Sequence, residues 1–146
     1  MLLSSSDAEL VTAAAWLHDV GYSPDLVQTG FHPLDGARWL RTKGVAESVC
    51  RLVAWHTSAF AEATERGMTN LLLAEFPRPD EKSLRVLTWA DLTSSATGQP
   101  CTVEERVAEI LARYPSHSPV YRTITAARAE LTRIGSEVGQ AIRSTK

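Results

Sequence analysis

The sequence predicts an all-α protein, a compact single-domain bundle of six or seven helices. Apolar residues recur at intervals of three and four through most of the chain. Cap-like openings precede several of these stretches. No run of β-branched residues alternates with period two over enough positions to make a strand. At 146 residues, with 44% hydrophobic and 22% charged positions, the chain can bury one sizeable core. Repeats and low-complexity segments are absent, so residues 1–146 read as one domain.

The first helix is predicted over residues 7–19. Ser6-Asp7-Ala8-Glu9 reads as a capping box, and Leu10, Val11, Ala14, Ala15, Leu17 and His18 follow at helical spacing. Gly21 is expected to end this helix in a left-handed conformation. Gly21, Pro24 and Gly30 mark a loop to residue 31, and His32-Pro33 looks like an N-cap followed by a first-turn proline. That helix runs to about residue 43. Val45, Val49, Leu52, Val53 and His56 recur at three and four, which puts His56 on the buried face of a third helix.

Shorter helical pieces follow over 59–67 and 69–76, broken by Gly67 and by Pro77-Arg78-Pro79. Asp80 caps a helix over 81–92, on which Leu84, Leu87 and Asp91 share one side. Thr93 to Pro100 is a polar loop. Thr102-Val103-Glu104-Glu105 is a second capping box, and a last helix starts near Val120, so the C-terminal helices cover about 102–144.

Charge and cysteine usage narrow the function classes. A formal charge of −2 and a pI near 6.1 argue against a nucleic-acid polymer or an anionic membrane as the main partner. Cys50 and Cys101 lack metal-site spacing and read as reduced thiols, which points to a cytoplasmic protein. No stretch is long and apolar enough to span a bilayer. The four tryptophans, Trp16, Trp39, Trp55 and Trp89, read as core and rim packing.

His18 and Asp19 place an imidazole and a carboxylate side by side at a helix end. Neighbours on a helix point about 100° apart, so both reach one ion only where the backbone turns away. Asp91 is a carboxylate on an apolar stripe, and its burial is costly unless a cation or several donors compensate. Imidazole and carboxylate together suit a divalent Mn, Fe, Co, Ni or Zn ion, and the lack of paired cysteines excludes thiolate-rich structural zinc. As plain structure, His18 would sit against the helix dipole with Asp19 as a surface acceptor. His32 would be a cap, and His56 a satisfied core histidine. His117, in a polar loop, reads as solvated.

The chain resembles the HD-domain metal-dependent phosphohydrolase superfamily over roughly residues 7–95. Ala14-Ala15-Trp16-Leu17-His18-Asp19-Val20-Gly21-Tyr22 looks like the family's defining helix end, and Phe31-His32-Pro33-Leu34-Asp35-Gly36-Ala37 like its His-x-x-x-Gly-Ala segment. Leu52-Val53-Ala54-Trp55-His56 is similar to the place where many members carry one or two histidines, and Asp91 matches the final ligand aspartate.

The resemblance implies that His18, Asp19 and Asp91 are metal ligands, that Asp19 also orients the attacking water, and that His32 and His56 hold a second metal or the substrate phosphate. It implies a phosphomonoesterase or phosphodiesterase acting on a nucleotide or another small phosphorylated metabolite through a metal-activated water. Arg38, Arg41, Lys43, Arg51 and Arg85 are candidates for the phosphate's counter-charge. The family's first ligand, a histidine on an earlier helix, has no counterpart among the 17 residues before His18. The alternative is therefore a catalytically weak or silent HD-fold domain with a binding or assembly role. The apolar surface left by the missing helix predicts a homodimer.

Overall fold

Ser4, rather than Ser6, opens the first helix: its Oγ accepts a hydrogen bond from the Asp7 backbone N–H at 3.1 Å. The computed structural model describes residues 3–145. Among them it contains eight α-helices, α1 Ser5–Leu17, α2 His32–Thr42, α3 Glu47–Trp55, α4 Ala59–Glu65, α5 Thr69–Glu75, α6 Glu81–Leu92, α7 Val103–Arg113 and α8 Pro119–Arg143. Two 3-10 turns, Val20–Tyr22 and Pro24–Leu26, join α1 to α2. No strand occurs among the described residues; a single β-bridge pairs Ser94 with Pro100.

The bundle thus has eight helices where six or seven are expected. The two short pieces predicted over 59–67 and 69–76 form separate helices, α4 and α5, with Gly67 at a φ of +69° between them. Other local signals hold as read. Asp80 caps α6 through the Ser83 N–H at 2.8 Å, and Thr102 and Glu105 form a reciprocal capping box on α7. The His32-Pro33 reading shifts by one residue. Phe31 is the N-cap, with no side-chain bond, and His32 begins the helix, which frees its imidazole.

Packing divides into two apolar clusters. The larger gathers α1 through α6 around Ala14, Phe31, Leu34, Val53, Phe76 and Leu87. The smaller gathers the end of α6 with α7 and α8 around Leu92, Val107, Ile124 and Leu131. Asp91 precedes Leu92 where the clusters meet, so a carboxylate stands at the seam of the core. Trp55 is buried, donates its indole N–H to the Phe76 carbonyl at 2.7 Å and stacks on Phe60. Trp16 departs from the packing expectation and is 86% exposed, at the rim of the groove between α1 and α6. No helix among the described residues is long and apolar enough to cross a membrane.

Candidate metal centre

Two histidines occupy equivalent positions on different helices. His18 is the C-cap of α1, and its Nδ1 bonds the Ala15 carbonyl at 2.8 Å. His56 is the C-cap of α3, and its Nδ1 bonds the Val53 carbonyl at 2.6 Å. A carbonyl only accepts, so Nδ1 carries the hydrogen in both rings and each Nε2 is turned toward the site. The rings meet edge to face with centroids 4.8 Å apart. This is the orientation in which a second ring nitrogen, anchored to backbone, presents the first to an ion.

The remaining donors converge on these nitrogens. His18 Nε2 lies 3.2 Å from Asp91 Oδ1 and 3.3 Å from Asp19 Oδ2. His32 Nε2 lies 3.5 Å from Asp19 Oδ1 and 3.2 Å from His56 Nε2. His56 Nε2 lies 3.9 Å from the same Asp19 oxygen. His18, His56 and Asp91 form one group whose ligand atoms all lie within 4.8 Å of one another, and Asp19, His32 and His56 form another. The five residues singled out in the sequence therefore come together, but the grouping is new: His56 belongs to both sets.

His18 Nε2 is fully buried and has no hydrogen-bond partner, although two carboxylates approach it. A buried orphan nitrogen is costly, and an ion among the carboxylates would satisfy it. The donor set fits a borderline divalent ion.

Electrostatics follow from the crowding. Burial pulls the His18 imidazole toward the neutral form, but Asp19 and Asp91 outweigh it and hold its pKa up at about 10. Burial and the neighbouring His18 and His32 push His56 the opposite way, so it stays neutral. Asp19 resists the upward pull of burial, because His18 and His32 hold it well below the usual carboxylate range. Its side chain is 52% exposed, which makes it the member of the cluster facing solvent.

Local backbone geometry places each donor. Gly21 does not adopt the left-handed conformation expected of it; it lies within the Val20–Tyr22 turn. Its role is close approach, since a Cβ there would stand 2.0 Å from the His32 carbonyl oxygen. The turn is thereby pressed onto the start of α2, and Tyr22 stacks on the His32 ring at 3.8 Å. Asp35 is buried in the first turns of α2. Its carboxylate accepts hydrogen bonds from the backbone N–H groups of Gln28, Thr29 and Gly30 and from the Thr29 hydroxyl. That pins the loop leading into His32.

Several contributors have no signature in the sequence. The Thr57 hydroxyl donates to Asp91 Oδ2 at 2.5 Å, from a left-handed backbone with φ of +30° that is strained for a β-branched residue. Tyr114, the C-cap of α7, pairs its hydroxyl with that of Tyr22 at 3.2 Å. Arg106 of α7 borders the cluster, whereas the five cations proposed from sequence do not. Arg38 pairs with Glu75, Arg41 with Glu47, and Arg85 with Glu137. Arg51 caps the carbonyls of Pro77 and Arg78, and Lys43 lies over Trp39. His117 is exposed, as expected.

The HD domain family model matches residues 2–96, well over half of the chain. The chain belongs to the HD domain family. The match ends just beyond Asp91, so it contains all five converging residues, while α7 and α8 lie outside it. No curated protein and no solved structure matches this HD domain protein. The fold and the family expected from the motifs agree with these findings, and membership associates the chain with metal-dependent phosphohydrolases.

Proposed function

We propose that this HD domain protein is a metal-dependent phosphohydrolase acting on a nucleotide or another small phosphorylated metabolite. The observation that carries the reading is the convergence of three imidazoles and two carboxylates in two donor groups that share His56, with the buried Nε2 of His18 facing both carboxylates. His18, Asp19 and Asp91 would hold the metal, with His56 beside them and His32 on the Asp19 side. A divalent ion bound there supplies Lewis acidity toward a phosphoryl oxygen and makes water a nucleophile near neutral pH.

The chain's own residues prepare the rest. Asp19, ionised and half in solvent, accepts a hydrogen bond from the incoming water and aims its oxygen at phosphorus. Thr57 holds Asp91 in one rotamer, and the backbone bonds of His18 and His56 fix their rings, so little reorganisation is needed on binding. Burial and the Tyr114 hydroxyl keep the Tyr22 phenol protonated, so it can donate to the substrate.

The test is elemental analysis of purified protein, then hydrolysis of p-nitrophenyl phosphate, bis-p-nitrophenyl phosphate and nucleoside monophosphates with added Mn, Co or Ni. Metal uptake near one equivalent and turnover that vanishes in Asp91→Ala are expected. Full-length protein that takes up no metal and hydrolyses none of these would overturn the reading. The second reading, a silent domain used for binding or self-assembly, is favoured by Trp16, exposed at the rim of the groove between α1 and α6. It predicts a dimer that Trp16→Ser dissociates, measured by sedimentation.

A further inference from the structure

The family match stops before α7, yet α7 closes the site. Arg106 projects from it between two cavities and belongs to the walls of both. Its side chain is only 11% exposed. Nη1 bonds Glu109 at 2.7 Å, but Nε is buried with no partner. Asp19 and Asp91 attract its charge, although neither lies within ion-pair distance. A guanidinium this buried, with Glu109 on one nitrogen and nothing on Nε, keeps donors free for a further anion. Its planar fork matches phosphate oxygens. With Asp19 and Asp91 engaged by a bound ion, Arg106 would remain as the buried cation common to both cavity walls. Arg113, which also pairs with Glu109, is more exposed and borders only one of the two cavities.

The cavities differ in what they can admit. One, bounded by Asp19, Tyr22, His32, His56, Arg106 and Tyr114, encloses about 90 Å³. The other is a groove of about 510 Å³ between α1 and α6, lined by Val11, Thr12, Trp16 and Trp89 and sharing Asp19, Asp91 and Arg106 with the first. Small-molecule sites typically span about 300–1,000 Å³. The groove has that size. The small pocket, at about 90 Å³, is much smaller than the groove and suits a phosphoryl group.

We propose that Arg106 is the phosphate-binding residue of this site and that the substrates are phosphate monoesters, with the phosphoryl group in the small pocket and the alcohol in the α1–α6 groove. This rests on the hydrolase reading above for its substrate class, but the phosphate site stands on the geometry of Arg106. In the reaction, water oxygen forms the new bond to phosphorus and the ester P–O bond breaks. One proton of that water ends on the departing alcohol and the other stays with inorganic phosphate.

Inorganic phosphate titrated calorimetrically into the full chain, with and without Mn, tests the site. Arg106→Gln is expected to weaken phosphate binding tenfold or more, Arg106→Lys to recover part of the loss, and Arg85→Gln to bind as wild type. Thr12→Trp, filling the groove from an exposed position, is expected to raise KM for p-nitrophenyl phosphate without altering phosphate affinity. Wild type is expected to favour p-nitrophenyl phosphate over bis-p-nitrophenyl phosphate at least tenfold. Undiminished phosphate affinity in a folded Arg106→Gln variant, or no phosphate binding by wild type, overturns the Arg106 assignment. A preference for the diester, or an unchanged KM in Thr12→Trp, overturns the monoester assignment. Phosphate binding through Arg106 without hydrolysis of any ester would overturn the hydrolase reading and its substrate class, while supporting the phosphate site.

Discussion

Gly21 rests directly on the backbone of Gly36: a Cβ at position 21 would stand 2.7 Å from the Gly36 nitrogen, and one at position 36 would stand 2.9 Å from the Gly21 nitrogen. Two bare α-carbons let the turn after His18 and Asp19 lie flush on α2. That contact brings Asp19 within 3.5 Å of His32, so the centre depends on a glycine pair that ligates nothing.

Gly21→Ala is expected to destabilise the fold by about 1–3 kcal/mol or more, because the obstructing atoms are backbone and cannot rotate aside. Metal affinity should fall with it, since the turn carries Asp19 away from His32. Urea unfolding measures the first and calorimetry the second; a wild-type midpoint for Gly21→Ala would disprove the account.

Asp35→Ala is expected to cost about 1–3 kcal/mol, because the N–H groups of Gln28, Thr29 and Gly30 lose a shared acceptor. Hydrogen exchange should accelerate at those amides first. Unchanged exchange there would show that the loop does not depend on Asp35.

Thr57→Val keeps the β-branched shape on the strained backbone and removes the hydroxyl that holds Asp91. Loss of such a supporting bond typically weakens metal binding about 10–100-fold. Thr57→Ser, which retains the hydroxyl, should bind metal nearly as wild type. Equal affinities in all three proteins would remove Thr57 from the site.

The His18 imidazole gives the metal-free protein a pH signature. Its pKa is raised from 6.5 to about 10 in the fold, so the stabilisation is fully present below pH 6.5 and is lost as pH climbs toward 10. Asp19 has a lowered pKa, so its contribution is present above pH 3.8 and falls away only in stronger acid. Metal-free stability should therefore plateau between these limits and decline on the alkaline side. Because an ion must displace the His18 proton, metal affinity should rise by up to about tenfold per pH unit over the same alkaline range. His18→Gln should abolish the alkaline decline in stability; a variant that retains it would assign the decline elsewhere.

Local chemistry was legible wherever near neighbours decide it. The Asp80 cap, the Thr102–Glu105 box, the position of His18 and Asp19 at a helix end and the inward side of Asp91 follow from spacing within a turn or two. Signals of the same kind misled where competitors sat close by. Ser4 outcompeted Ser6 for the first cap. Gly21 matched a terminating glycine in sequence, but its φ is not left-handed and its function lies in contact with a residue fifteen positions away.

The sequence by itself determined the all-α class, the family and the five residues that converge, because periodicity, caps and motif spacing are encoded within short windows. Only the tertiary structure decided that His56 joins both donor groups, that Thr57 holds Asp91, that Trp16 stays in solvent and that Arg106, rather than any cation nearer the motifs, borders the centre. Those facts depend on how α3, α6 and α7 pack across one another. The sequence records which faces are apolar, but not which polar side chain a distant helix will bring to the seam.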